Sequence, residues 1–362
     1  MQSIPVHGSS VFLEALRHPY YIVAPRYIRT SAGVKVLHLL CHALNRMGER
    51  AYLIVEPYYH PYFAINPDLI TPVLTQRHIE RHFEQGLTPI TIYPETVAGN
   101  PYSAPFSVRY VLNYAGLLGG ETTFTKIEYC ISYSKAIADS LPDSHHTIFI
   151  PASDPNFFSP GTAQREGACF YAGKFKYFHK GRTLAITDGA TEITRDRPDS
   201  QTPEQIRDLF RRSELFYCYE NSALAIEAIL CGCPVVFLPN EHFTELIGKE
   251  ELGGLGYAWG TDPIDITRAK ATVAQGHQRF LTLYAEAENA IREFVAETQT
   301  AASKIPYQHM IQVPQLSHPS LLVEFGGLIK TGWFVIRQKG LIYLLTIIFK
   351  RLAAGRVRIR EK

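Results

Sequence analysis

The chain is 362 residues long, 46% apolar, 19% charged and 12% aromatic, with a formal net charge of +2. At about 150 residues per domain this length calls for two cores, which excludes a small binding module, and the apolar content offsets enough chain entropy to exclude wholesale disorder. Charge is unevenly placed: from Glu324 to Lys362 nine basic residues stand against two acidic ones, so a body of about −5 carries a tail of about +7.

Short apolar strands alternate with amphipathic helices from Tyr21 onward, the pattern of βα units and parallel sheets. Tyr21 to Tyr27 reads as a strand, and the turn Arg29-Thr30-Ser31-Ala32-Gly33 leads into a helix with the stripe Leu37, Leu40, Cys41, Leu44 and Met47, ended by Gly48. Ala51 to Pro57, the stretch around Thr91 to Glu95, and Glu128 to Ser134 read as further strands of one sheet, with a helix starting at Lys135. The polar, proline-rich stretch Pro151 to Gly161 reads as a crossover.

The pattern then restarts with strands at Ala168 to Gly173, Thr191 to Thr194, Leu215 to Tyr219, Pro234 to Pro239 and Gly256 to Trp259. Between them Thr202 caps a helix to Arg212 with Pro203 in its first position. From Asp265 to about Ala302 a long helix with the stripe Val273, Phe280, Tyr284, Ala287, Ile291 and Phe294 is expected to close the second domain. The organisation is thus a Rossmann-like domain over 1–150, a second over 151–305 and a helical, basic tail over 306–362.

The six cysteines, Cys41, Cys130, Cys169, Cys218, Cys231 and Cys233, form no CxxC pair, and most sit in apolar runs, so free thiols and a cytoplasmic setting are expected. The first twenty residues lack the apolar stretch of a secretory signal, and no apolar run approaches the about 18 residues of a spanning helix. The tail joins Trp333, Phe334 and the apolar run Leu341 to Phe349 to flanking cations, which suits either an interfacial helix on an anionic membrane, such as the inner face of the plasma membrane, or packing on the first domain. No nucleic-acid partner is expected. With no DxD, no HExxH and no Cys or His cluster at ligand spacing, no metal site and no cofactor are expected either.

Two open α/β sheets present the carboxyl ends of their strands to a shared cleft, so motifs at those ends carry the chemistry. Gly33 follows the first strand and opens a helix, which permits close approach of an anion or sugar; the three-glycine dinucleotide fingerprint is absent. Gly173-Lys174 to Lys180-Gly181 ends a strand in glycine and delivers several cations within eight residues, which suits a diphosphate. Glu220 stands at the end of the strand Leu215 to Tyr219, Asn221 or Ser222 can cap the helix that follows, and Glu227 lies inside that otherwise apolar helix. A carboxylate there needs a partner: a ribose diol or a neighbouring cation.

The linker Ile150-Pro151 to Phe158-Ser159-Pro160, the loop Gly173 to Gly181 and the block Glu227-Ala228-Ile229-Leu230-Cys231-Gly232-Cys233-Pro234-Val235-Val236 resemble the GT-B fold glycosyltransferases, in particular the bacterial envelope-polysaccharide transferases that use nucleotide-sugar donors. A second, N-terminal likeness runs through Ile92-Tyr93-Pro94-Glu95, Gly99-Asn100-Pro101 and Val108 to Asn113. The resemblance implies two Rossmann-like domains facing each other across a cleft, the first for the acceptor and the second for a nucleoside-diphosphate-sugar. It places Lys174 and Lys180 on the diphosphate, Glu227 on the ribose, and Ser222 with nearby amides on the phosphates or sugar. Glu220 and Glu227 stand one residue closer together than the paired glutamates of retaining members, which leaves the stereochemical outcome open.

An inverting reaction needs a general base from the acceptor side, for which Glu95, with His60 behind it, is the candidate. The expected activity is metal-independent transfer of a sugar to a saccharide or lipid-linked acceptor in envelope glycan synthesis. A nucleotide-sugar epimerase, a phosphorylase-like enzyme, or a non-catalytic transferase-like scaffold remain the alternatives.

Overall fold

The computed structural model describes residues 17–56, 64–124, 128–195, 200–306 and 311. The first sheet holds β1 (Tyr20–Ala24), β2 (Ala51–Val55), β3 (Ile90–Pro94), β4 (Phe106–Val111), β5 (Tyr129–Ser132) and β6 (His146–Thr147). All pairs are parallel, in the order β2-β1-β3-β4-β5-β6. The second holds β7 (Ala168–Tyr171), β8 (Thr191–Glu192), β9 (Leu215–Cys218), β10 (Val235–Phe237) and β11 (Tyr257–Trp259), parallel in the order β11-β10-β9-β7-β8. These are the paired Rossmann-like sheets expected from the sequence.

Both sheets read as near-continuous apolar runs because both faces are covered. In β1, Tyr20, Ile22 and Ala24 join one core with Val36, Leu37, Leu40, Cys41 and Leu44 of α1 (Ala32–Arg46). Tyr21 and Val23 point the other way, toward Ile79 of α2 (Gln76–Glu84). The second sheet repeats the device. Cys169, Phe216, Val235 and Tyr257 face α4 (Pro203–Arg212) and α5 (Ala223–Leu230), while Phe170, Tyr217, Val236 and Ala258 face Ala269.

The helix starts obey local chemistry. Thr202 and Gln205 form a capping box at α4 with Pro203 in the first turn, and Ser134 caps α3 (Lys135–Asp139) through the Ile137 amide. β4 and α2 show why some elements leave no plain mark in the sequence. β4 carries Ser107 and the buried Arg109 inside its apolar run, which breaks the strand signal. α2 buries only Ile79 and His82, leaves Phe83 exposed, and closes its capping box with His78 in place of the usual Glu or Gln, so neither its stripe nor its cap is conspicuous.

After α6 (Lys249–Leu252) comes α7 (Pro263–Ser303), 41 residues long, which does more than close the second lobe. Phe280 and Leu283 lie in the second sheet's core, whereas Ile291, Phe294, Val295 and Ala302 lie in the first sheet's core. Thr298 Oγ1 meets the Tyr20 hydroxyl at 2.8 Å, and Gln299 accepts the His18 amide and donates to the His18 carbonyl. All six cysteines are free and buried. No helix among the described residues is long and apolar enough to cross a membrane. The basic tail over 312–362 lies outside the described residues.

Phe294 is fully buried and its ring meets those of Tyr20, Tyr129 and His146. Phe294→Ala is expected to destabilise by about 3–5 kcal/mol, read as a lowered denaturant midpoint. An unchanged midpoint would show that the end of α7 is not part of the first lobe's core.

Candidate functional site

In an open parallel sheet a ligand collects beyond the carboxyl ends of the strands, where successive connections leave in opposite directions. In the first sheet that point lies between β1 and β3, in the second between β7 and β9. The two points are joined by direct contacts: Arg195, just after β8, donates to the Thr30 carbonyl beyond β1 at 3.3 Å, and Lys35 of α1 donates from its ammonium to the Ala152 carbonyl of the crossover at 2.8 Å. These contacts bring the carboxyl ends of the two sheets together at Arg195 and Lys35.

β7 ends in Tyr171, and the chain turns at once into a wide, π-helical turn over Gly173–Phe178. Glycine at 173 leaves room for the Tyr171 hydroxyl, since a Cβ there would stand 2.3 Å from its oxygen and force it to move. Glycine at 181 does the same for the Phe175 ring, 2.4 Å from where a Cβ would lie. Phe175 in turn stacks on Tyr219 at 5.2 Å, so the loop is clamped between the ends of β7 and β9.

Glu220 completes the clamp. Its Oε2 accepts the Lys174 amide at 2.6 Å and the Phe175 amide at 3.3 Å. The carboxylate expected at the cleft rim is therefore occupied with the backbone of the cationic loop rather than presented to a ligand. Of the loop cations, Lys176 is paired with Glu192 at 2.6 Å. Lys180, expected on the diphosphate, sits exposed in the left-handed region at φ 60° and donates to the Tyr177 carbonyl at 3.0 Å. Lys174 is exposed beside Glu220, whose carboxyl burial pushes above its ordinary value, opposed by the Lys174 and Phe175 amides and then by the Lys174 charge.

Glu227 is 6% exposed inside α5. Burial pushes its carboxyl above the ordinary range, opposed by Arg195, then Lys35, then Arg29. The Arg195 guanidinium lies 3.6 Å from Glu227 Oε2, a long ion contact between side chains only 7% and 8% exposed. Lys35 is itself buried, which lowers its pKa, while Glu227 opposes that drop. Of the two partners that a buried carboxylate can have, a cation is in place.

Asn221 is a fastener: its Nδ2 donates to the Glu245 carbonyl at 3.0 Å and its Oδ1 accepts the Ile247 amide at 3.1 Å, holding the segment that carries Ile247 onto the first lobe beside Ile137. Ser222 caps α5 by accepting the Leu224 amide at 3.3 Å. Gly33 stands in the first turn of α1, where a Cβ would meet only Leu112 Cδ1 at an ordinary 3.6 Å. Nothing in the backbone demands glycine there. No side chain caps α1, so its positive end faces the turn after β1.

Glu95, directly after β3, is 3% exposed and accepts the Leu112 amide at 3.0 Å. Gly120, at φ 78°, lets its loop press onto this strand end, since a Cβ would lie 2.0 Å from the Glu95 carbonyl oxygen. His60 lies outside the described residues. Among the described residues no group of three or more His, Cys, Asp and Glu is placed to hold a metal ion.

Arg195 and Lys35 are the site residues that the sequence did not reveal. Thr194-Arg195-Asp196-Arg197 has the look of a solvated charged loop, though a cation one residue past the strand Thr191 to Thr194 was a usable signal. Lys35 is buried where the crossover and the second lobe close over α1, which no local pattern in the first lobe can report.

No protein-family model and no curated protein matches the chain. Among solved structures it is similar to a glycosyltransferase from Rickettsia africae (9% identity over 81% of this chain and 100% of that one, TM-score 0.44). It is similar also to the glycosyltransferase SnogD from Streptomyces nogalater (12%, 79% and 99%, TM-score 0.39) and to MurG from Acinetobacter baumannii (9%, 80% and 100%, TM-score 0.36).

Burial raises the Glu95 carboxyl above its ordinary value of 4.5, against the Leu112 amide and the Arg109 charge that pull it down. The folded state therefore keeps a proton that the unfolded chain gives up, and Glu95 takes stability away as pH climbs from 4.5 toward its raised folded value. Glu95→Gln keeps an acceptor for the amide and removes that titration. Its melting temperature relative to the parent is expected to rise as pH climbs above about 4.5; a difference that does not change with pH would contradict a buried, titrating Glu95.

Proposed function

We propose that this chain is a GT-B glycosyltransferase that moves a sugar from a nucleoside-diphosphate donor to a saccharide or lipid-linked acceptor, as in the assembly of envelope glycans. The observation that carries the proposal is the buried Glu227 carboxylate, set among Arg195, Lys35 and Arg29 where the carboxyl ends of both sheets meet. A ribose offers two adjacent hydroxyl donors to such a carboxylate, and the diphosphate next to it carries the negative charge that the surrounding cations answer.

In this reading Glu227 grips the ribose, and the diphosphate lies toward Lys174 and the start of α5, whose first turn contains no acidic residue. Charge gathers on the leaving diphosphate as the glycosidic bond breaks, and fixed cations with a helix N-terminus stabilise it without rearranging. The chain's own cations take the part that a metal ion plays elsewhere, so transfer is metal-independent. Glu95 belongs to the facing lobe. Its carboxyl, raised by burial, is suited to receive the proton of an acceptor hydroxyl if the reaction inverts.

The seat of Glu220 on the loop amides is the one observation that favours a scaffold without turnover. Release of free sugar or of a transfer product by the parent chain decides against that.

Uridine, guanosine and thymidine diphosphates, offered one at a time, are expected to include one that raises the melting point of the parent and not of Glu227→Ala; at about 100 times its Kd such a ligand adds about 2.7 kcal/mol. A flat response across the panel overturns the donor assignment. With the donor identified, Glu95→Gln is expected to lose transfer by about 100-fold or more while keeping the parent's nucleotide affinity. Full activity in that variant removes Glu95 from the mechanism.

A further inference from the structure

Arg195 follows β8 at the edge of the second sheet, yet its side chain runs inward over β7, with the guanidinium carbon 5.6 Å from the centre of the Tyr171 ring. The side chain is only 7% exposed. A guanidinium has five N–H donors, and leaving them unanswered away from water is costly. Here one nitrogen reaches the Thr30 carbonyl at 3.3 Å, another is 3.6 Å from Glu227, and Nε has no hydrogen-bond partner among the described residues. At 3.6 Å the contact with Glu227 is an ion contact rather than a hydrogen bond. Arg195 is thus a buried, under-satisfied cation placed where β7 and β9 part, and its charge is felt by both Glu220 and Glu227.

The other cations on this side of the cleft are less suited to a diphosphate. Lys176 is committed to Glu192, Lys180 is exposed and donates to Tyr177, and Lys174 is exposed. A phosphate offers the paired oxygens that a planar guanidinium grips two at a time, and it would supply the acceptor that Nε lacks.

We propose that Arg195 grips the diphosphate of the donor, exchanging its long contact with Glu227 for phosphate oxygens as the ribose diol takes Glu227. The two residues then act as a pair that opens from both sides at once: the sugar end of the nucleotide answers the carboxylate and the phosphate end answers the guanidinium. This rests on the donor reading above and adds to it a residue that the resemblance did not supply. The Thr30 carbonyl orients Arg195 from the first lobe, so the same side chain reports to the diphosphate how the lobes are set.

The test is calorimetric titration of uridine, guanosine and thymidine diphosphates, and of the three matching nucleosides, into the parent, R195Q, R195K, E227Q and the double variant R195Q/E227Q. The quantity read is the factor by which a diphosphate binds more tightly than its nucleoside. R195Q is expected to cut that factor by about tenfold or more and to leave nucleoside affinity within about threefold, and R195K to restore part of it without the bidentate grip. E227Q is expected to weaken diphosphate and nucleoside alike. Should R195Q fail to fold with Glu227 left without its guanidinium, the double variant, which removes the buried carboxylate together with that cation and leaves Lys35 on the Ala152 carbonyl, reads the same factor. A factor kept at the parent's value in R195Q or in the double variant overturns the role of Arg195 and leaves the donor reading standing. A parent that binds none of the diphosphates overturns both.

Discussion

A carboxylate taken out of water has to be answered by opposite charge or by hydrogen-bond donors, and Glu227 is answered from three directions. Arg195 comes from beyond the edge strand β8, Lys35 from a helix of the first lobe, and Arg29 from the turn after β1. Once α5 places that carboxylate between the sheets, the lobes cannot be set arbitrarily, because Lys35 and the Thr30 carbonyl must arrive from the other side. Removing one member of such a buried set costs about 3–5 kcal/mol, which ties the geometry of the cleft to the stability of the fold.

The glycine loop shows the same coupling on a smaller scale. Gly173 lies over the Tyr171 hydroxyl and Gly181 over the Phe175 ring, while Glu220 holds two loop amides. A loop closed down by its own backbone, ring stack and carboxylate gives Lys174 a fixed base. Rigidity of this kind is what lets a charged group stabilise a developing negative charge without first paying to be ordered.

Much of the architecture is legible in the chain. The runs around Tyr21, Ala51, Ala168 and Leu215 are apolar on both faces, and Thr202 with Pro203 announces its helix, so strand existence and order of appearance follow directly. β4 and α2 stayed hidden because each keeps charged or exposed residues inside its span: Arg109 reaches back to the carbonyls of Pro94, Val97 and Gly99, and Phe83 faces solvent. At the site, Glu227 was legible as an acid in an apolar helix, but its partners were not, since Arg195 and Lys35 acquire their burial only from contacts across the chain. Glu220 and Asn221 after a strand end, and Lys180 in a cationic loop, are residue types that suit a ligand. Their side chains went instead to the nearest backbone donors and acceptors, a preference that spacing alone does not display.

α7 leaves the second lobe and finishes in the first without a proline past its opening turn, and its one glycine, Gly276, is pressed against the Leu255 carbonyl rather than left as a joint. Such a beam resists bending. Its early turns are buried in one core and its last turns in the other, so the two halves share a single stiff spine whose length sets their separation.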